Sequence, residues 1–396
     1  MSAAKAMHTL EVTCSIDPRG GGVIAGLTAL AAERANHGHR TTIVSLDSPQ
    51  AFDPASLPFD WVGLGPGRGK YRYTPRLSPW LTAHARDFDA VTIHGLWQWH
   101  SYGAWRTLRR LGVPYLAFTH GMLAPWFRSR YPLKHLKKWL YWPWADYRVL
   151  RDAATVCFTS EEERILARSS FSLYQAREEV VGFGISTPPP AHDQQLEDFR
   201  TVVPAATGKR VLLFLSRIHE VKGCDLLIRA FARTLAKDPA WHLVIAGPDQ
   251  DGLGPGLRQL AEHHGLGGRL SWPGMLTGDA KWGAFRSAEV FCLPSHQECF
   301  GVVVAEALAC SCPVLISNQV NIWREVEASA CGLVEPDTED GCASLLRNWQ
   351  QLAPPQVRAM RREASAAFSR HFHISAASAN IYAAMAKMPG QHGISN

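Results

Sequence analysis

The segment HQECFGVVVAEALACSC (residues 296–312) follows an apolar run at 290–294 and precedes another at 313–317. Short apolar, β-branched runs of this kind read as buried parallel strands, and 302–309 between them reads as a helix. Working outward, the same alternation continues toward the N-terminus, with strands over 211–216, 242–246 and 269–272 and helices over 225–236, 256–264 and 279–287. A break at 187–208 holds three consecutive prolines, Pro188, Pro189 and Pro190, in a polar stretch, which reads as a linker. Upstream of it the pattern repeats: strands over 9–16, 41–46, 90–94, 115–119 and 155–159, helices over 25–36, 77–85, 102–111 and 160–168. Helical segments over 355–370 and 375–388 close the chain. The chain is therefore α/β, with two Rossmann-like doubly wound domains, 1–190 and 209–371. Strand C-termini carry the ligand loops in such sheets, so the two halves are expected to face one another across a cleft.

Composition narrows the class. Of 396 residues, 46% are hydrophobic and 19% charged, which excludes an intrinsically disordered chain, and 32 Gly with 25 Pro show no collagen period. No apolar run approaches the roughly 18 residues of a membrane span. Glu11 interrupts the first apolar stretch, where a secretory leader stays uncharged, so a cytoplasmic protein is expected. Nine irregularly spaced cysteines imply reduced thiols; Cys310 and Cys312 lack the second pair a zinc site needs. The net charge of +6 lies in the front half, where residues 101–151 hold ten basic side chains and one acid, Asp146. Such a patch suits an anionic partner, but no nucleic-acid recognition motif accompanies it.

Three loops carry the chemistry. In the first, Phe300 and Gly301 make a tight turn that leaves the N–H groups of Gly301, Val302 and Val303 at a helix N-terminus, where anions bind. Glu306 interrupts the apolar face that follows, and a carboxylate there needs a partner. Glu298 stands on the loop eight residues earlier. In the second, LFLSRIHEVK (213–222), Arg217 leaves a strand and Lys222 precedes a helix, a pair of cations able to hold a diphosphate. The third, DPRGGG (17–22), lacks dinucleotide-site spacing, but Gly21 and Gly22 allow close backbone approach to a ligand. Solvated surface charges or plain turns would account for each feature taken singly.

Together these residues resemble a known family. The Glu298-x7-Glu306 pair, the SRIHEVKG segment, the glycine turn and Thr119-His120-Gly121 are similar to retaining glycosyltransferases of the GT-B fold, family 4, in particular the bacterial exopolysaccharide and O-antigen enzymes. The resemblance implies a C-terminal helix crossing back to the N-terminal domain, adding 372–390 to it. It implies that Glu298 contacts donor-sugar hydroxyls, Glu306 the ribose, and the amides at Phe300, Gly301 and Val302 the sugar and diphosphate. Arg217 and Lys222 would neutralise the diphosphate without a metal, so no cofactor is expected. His120 would touch the sugar from the opposite domain, Gly21 and Gly22 would approach the diphosphate, and the base would lie near Gly274, Met275 and Leu276. The implied reaction is front-face transfer of a sugar from a nucleoside diphosphate sugar to a glycan or polyprenyl-diphosphate-linked acceptor. The strand expected before the linker, VGFGIS (181–186), departs from the family pattern, which often has proline, asparagine and an acid there.

Other readings remain open: a GT-B nucleotide-sugar epimerase, or a catalytically silent GT-B subunit that binds a glycan. Asp87-Phe88-Asp89 imitates a metal-binding DxD motif, but its place before a strand favours packing of Phe88. His94 and His100 approach His120 in loop order; flanking Trp97 and Trp99 suit a sugar or lipid surface better than a metal. Finally, PLKHLKKWLYWP (132–143) reads as an amphipathic helix. Lys134, Lys137 and Lys138 with Trp139 and Trp142 would form a patch for an anionic membrane surface, giving peripheral attachment; an internal helix with a solvated basic face is the alternative.

Overall fold

Strand β1 (His8–Thr13) is followed by β2 (Arg40–Ser45), β3 (Asp60–Gly63), β4 (Ala90–His94), β5 (Leu116–Phe118), β6 (Thr155–Phe158) and β7 (Glu178–Val180). All pair in parallel, in the order β3-β2-β1-β4-β5-β6-β7. These coordinates are a computed structural model describing residues 6–18, 22–130 and 132–389. A second parallel sheet follows, built from β8 (Arg210–Leu215), β9 (Trp241–Ala246), β10 (Leu270–Gly274), β11 (Ala288–Leu293), β12 (Val314–Ser317) and β13 (Gly332–Glu335). Its order, β10-β9-β8-β11-β12-β13, reverses direction of growth after β8, as the first sheet does after β1. Both are doubly wound Rossmann-like sheets, whose ligand loops leave the C-terminal strand ends near that switch point.

The chain divides after Gly184 and again after His373. The last helix, Ile374–Ala386, belongs to the N-terminal unit: Ile374, Ile381, Ala384 and Met385 pack with Leu30, Phe118, Cys157 and Val181. The second unit runs from Ile185 to His373, so it begins before the proline-rich break rather than after it. Within that break, Asp193–Val202 is a helix with Phe199 buried. It lies so close to the helix Gly278–Ser287 that a Cβ on Gly283 would fall 1.8 Å from the Gln195 carbonyl oxygen. Its polar sequence hid it, because the partner that makes it a packed helix is a glycine some ninety residues away.

Strands β3 and β13, four residues each, carry too short a pattern to be seen in the sequence, and the strand expected over 181–186 lies instead at β7, 178–180, with Gly182 at φ 79° just beyond it. The DxD-like segment is structural: Phe88 is buried edge-on against the His8 ring, and Asp89 accepts the His8 backbone N–H at 2.8 Å.

Candidate active site

In the C-terminal unit, β8 ends in a loop that turns through a short 3-10 segment, Glu220–Lys222, into the helix Cys224–Arg233. The turn needs Gly223, at φ 66°, because a Cβ there would come within 2.3 Å of the Pro294 carbonyl. The His296 N–H donates to the Val221 carbonyl at 2.8 Å, locking this loop to the one after β11. That lock brings together two residues seventy-six positions apart: the buried Lys222 ammonium forms an ion pair with the Glu298 carboxylate. Glu298 is itself held on a two-bond bridge, donating to Gln319 and accepting from Asn321, both at 3.0 Å.

From the sequence, Lys222 is expected only as a cation for the diphosphate. The structure shows why it needs Glu298 as well: a buried ammonium is costly without a counter-ion. With three N–H donors, Lys222 can keep Glu298 and still donate to an anion. Arg217, by contrast, is exposed at the C-terminal end of β8.

The helix Val302–Ala309 starts at Gly301, φ 75°, with Phe300 buried and edge-on against Phe372. The Val304 N–H donates to the Gly301 carbonyl at 2.8 Å, which leaves the N–H groups of Val302 and Val303 without an acceptor inside the helix. Glu306 is buried on this helix, and burial raises its pKa against the opposing pull of Lys281. Lys281 Nζ binds Glu306 Oε1 at 2.6 Å, while Oε2 has no partner among the described residues. Lys281 was missed from sequence because it lies on another helix, Gly278–Ser287, with no motif around it.

Beside β8 and β9 a cavity of about 370 Å³ is lined by Ile218, Gly247, Asp249, Arg258, Trp272 and Gly274. The Arg258 guanidinium lies 5.0 Å over the Trp272 ring. Of the residues expected near a base, Gly274 lines this cavity, Met275 is exposed, and Leu276 is buried. Gly247 permits the wall, since a Cβ there would meet the Ser216 carbonyl at 1.7 Å.

In the N-terminal unit His120 stands at φ 48° in the turn after β5, held from below by Glu163. Glu163 Oε1 accepts from Thr119 Oγ1 and the Gly121 N–H at 2.6 Å each, and Oε2 accepts from Thr159 N–H and Oγ1 at 2.8 and 2.7 Å. His120 Nε2 lies 2.9 Å from His94 Nδ1, and His94 Nε2 lies 2.7 Å from Glu11 Oε2. Glu11, noticed in the sequence only as a charge in an apolar stretch, is thus fully buried beneath this turn and paired with Arg34. Gly22 opens the helix Gly22–Asn36 and is exposed; Gly21 lies outside the described residues.

His120 is held well below the usual histidine range by burial and by the neighbouring His94 and His100, and burial lowers His100 to about 4. Between pH 6.5 and about 4 the unfolded chain therefore binds protons that these folded rings refuse, so stability falls as pH falls. Thermal melts across this window should show a declining Tm, with a shallower decline in His100→Gln, whose amide can still donate to the His94 carbonyl. An equal slope in both would count against the assignment.

The helix Pro132–Tyr141 has no buried residue; Leu133 is 77% exposed, and Leu136, Trp139 and Leu140 are also open. Its leucines and Trp139 therefore do not face the core; the helix is held instead by His135, stacked on Phe171 at 4.8 Å, and by Tyr141, whose hydroxyl bonds that of Tyr71. Two members of the expected patch point elsewhere. Trp142 is buried, stacked on Phe171 and donating to the Ser172 carbonyl at 3.0 Å, because its apolar ring completes the core beneath the helix. Lys138 folds its ammonium to 4.5 Å over the Trp97 ring. Lys134, Lys137 and Trp139 remain exposed. Among the described residues, no group of three or more His, Cys, Asp or Glu could hold a metal ion, and no helix is long and apolar enough to cross a membrane.

Two Rossmann-like units, with a buried cation–carboxylate pair beside a helix N-terminus, form the class of fold that handles nucleotide-linked substrates. Residues 21–184 match the model for a glycosyl transferase 4-like domain, and residues 196–364 the model for glycosyl transferases group 1. The chain belongs to the GT-B glycosyltransferases of family 4. The D-inositol 3-phosphate glycosyltransferase of Rhodococcus opacus is 33% identical over 142 residues, 34% of this chain and 32% of that one. That of Frankia alni is 28% identical over 307 residues, 68% of this chain and 67% of that one. The chain thus spans about a third of the length of the first of these relatives. Among solved structures, Anabaena HepE in complex with UDP and glucose aligns at a TM-score of 0.75 and 16% identity, covering 96% of this chain and all of that one. WaaG, a glycosyltransferase involved in lipopolysaccharide biosynthesis, aligns at a TM-score of 0.65 and 15% identity, covering 97% and 100%.

Proposed function

We propose that this protein is a retaining glycosyltransferase that moves a sugar from a nucleoside diphosphate sugar to an acceptor hydroxyl. The observation that carries this reading is Glu306: a buried carboxylate with one oxygen held by Lys281 and the other bare among the described residues, on the helix whose N-terminus follows Glu298. A carboxylate oxygen in that state is an acceptor for a ribose hydroxyl, and a buried acceptor without a protein partner is completed by water, an ion or a ligand. Lys222 and Arg217 then take the diphosphate, Glu298 the sugar hydroxyls and His120 the sugar. The cavity at Gly274 and Trp272 takes the base. No side chain acts as a nucleophile. The diphosphate leaves while positive charge develops on the sugar, and the acceptor hydroxyl attacks the same face and passes its proton to the leaving phosphate. Orientation of the acceptor and stabilisation of the leaving charge supply the rate.

A thermal-shift screen against UDP-, GDP-, ADP- and TDP-sugars tests this directly, because a ligand stabilises the native state according to its affinity. At least one is expected to raise Tm; a flat response to all four would reject the reading. Glu306→Ala should mainly weaken binding of the free nucleotide. Glu298→Gln should reduce turnover more than affinity, since it frees Lys222 for the anion, and should lower Tm without ligand because a buried ammonium loses its partner. Equal nucleotide affinity of Glu306→Ala and the wild type would remove the ribose assignment.

The acceptor is proposed to be lipid-linked and met at an anionic membrane surface. The support is the exposed helix Pro132–Tyr141, which sets Leu133, Leu136, Trp139 and Leu140 in solvent beside Lys134 and Lys137. Each lysine near such a surface contributes about 1 kcal/mol, screened by salt. Sedimentation with phosphatidylserine vesicles should fall sharply in Lys134→Glu/Lys137→Glu and at high salt, with nucleotide binding intact. Wild type that ignores such vesicles at low salt would point to a soluble acceptor.

A further inference from the structure

On the reading that His120 contacts the donor sugar, we propose that Glu11 and His94 are positioning residues, which present His120 to its ligand as a neutral ring with a bare Nδ1. The argument follows the protons. A carboxylate at Glu11 only accepts, so His94 Nε2, 2.7 Å away, carries a hydrogen. Burial works against the Glu11 charge, but Arg34 and His94 outweigh it and lower its pKa to about 2, so it is ionised throughout the useful range. In an uncharged pair, His94 Nδ1 is then the bare nitrogen and must accept. The hydrogen between the rings therefore belongs to His120 Nε2, 2.9 Å away, and His120 Nδ1 is left as the acceptor.

One added proton changes what His120 presents, whichever ring receives it. If it goes to His120 Nδ1, that atom becomes a donor on a cation. If it goes to His94 Nδ1, two hydrogens cannot share the gap, so His120 surrenders its Nε2 hydrogen and holds one at Nδ1 instead. Either way the acceptor becomes a donor and a positive charge enters the pair. Positive charge beside a sugar that is itself becoming cationic opposes the reaction. The groups around the pair favour the uncharged state. His100 donates from Nε2 to the His94 carbonyl at 2.8 Å and packs alongside. Arg34, on the helix Gly22–Asn36, lies 5.4 Å from the Tyr382 ring on the last helix, and the His39 ring meets Tyr382 at a tilt, 4.5 Å between centroids. Cys157 on β6 is a thiol held neutral by burial. Phe118 stacks on both imidazoles at 5.1 and 5.4 Å, and Phe183 meets His120 edge-on. The carboxylate of Glu11 at the pair's far end is already neutralised by Arg34, and that of Glu163 under the His120 turn is taken up by its four hydrogen bonds to Thr119, Gly121 and Thr159.

The pair can be read in the full-length chain labelled with 15N-histidine, using 1H–15N multiple-bond spectra between pH 5 and 8.5. His94→Gln and His120→Gln identify the two rings among the 17 histidines. Both are expected as Nε2–H tautomers at pH 8, and His120 should gain its Nδ1 hydrogen as the pair takes up a proton. An Nδ1–H tautomer for either ring at pH 8 overturns the proposal. His94→Gln leaves the Arg34–Glu11 pair whole, and its amide can turn either way, so His120 should show mixed tautomers. Glu11→Gln/Arg34→Met, which removes both buried charges together, should mix the His94 tautomers; an unmixed spectrum in both variants would also overturn it. With whichever of UDP-, GDP-, ADP- and TDP-glucose stabilises the wild type, turnover by His94→Gln should fall about 10- to 100-fold, as when a metal-bound histidine loses the partner that orients it, at unchanged affinity for the nucleoside diphosphate. Should none of the four bind, the sugar reading fails, while the spectra still decide the tautomers.

Discussion

Replacing Glu163 with alanine is expected to destabilise the protein by about 4 kcal/mol, because four buried donors lose their acceptor together and each unmatched donor costs about 1–3 kcal/mol before the site relaxes. The four are the Thr119 and Thr159 hydroxyls and the Gly121 and Thr159 amides. Solvent can reach none of them cheaply, since Thr119, Gly121 and Glu163 are buried. Glu163→Gln should cost less, as its remaining carbonyl still serves one side of the cluster while its amide faces donors on the other. Urea or thermal unfolding of the three proteins decides the matter, and a loss under about 1 kcal/mol for the alanine variant would show that the turn is held by other means. Since the same bonds set His120 at positive φ, turnover should fall in both variants at temperatures where they remain folded.

Lys222→Ala is expected to weaken nucleoside diphosphate binding by about 1.5–3 kcal/mol, roughly 10- to 150-fold, by removing a charge-assisted contact. It also leaves Glu298 without its ion-pair partner, so Tm without ligand should drop as well. Those two effects separate in the double variant Lys222→Ala/Glu298→Gln. Breaking a buried pair from one side strands a charge, whereas removing both charges does not, so stability should recover while affinity stays low. Recovery of affinity in the double variant would show that Lys222 serves only to neutralise Glu298. Arg217→Ala, at an exposed position, should weaken binding less and leave Tm nearly unchanged.

The sequence is legible where the signal is local. Apolar runs near β1, β4, β8, β9 and β11 announced themselves because strands buried on both faces need near-continuous apolar side chains. Glu306 stood out for the opposite reason, as a charge where such a pattern excludes one. Lys281 could not be seen, because a surface-like lysine on an ordinary helix gains its meaning only when folding brings it 2.6 Å from Glu306. Trp142 was misread for the same cause: an aromatic in a basic, amphipathic segment looks like an interfacial ring until the core beneath it is known.

Composition and periodicity, then, determined the architecture of two parallel sheets and the loops on which chemistry can sit, since alternation of strand and helix is imposed by each element's own neighbours along the chain. Only the tertiary structure decided which charges meet. Lys222 finds Glu298, Glu163 gathers the turn around His120, and Glu11 reaches His94 across eighty-three residues of chain. A buried charge is tolerated only where its counter-ion or hydrogen-bond partners are already in place, and those partners come from separate strands and helices. Their pairing is therefore a property of the packed sheet and is written in no single segment.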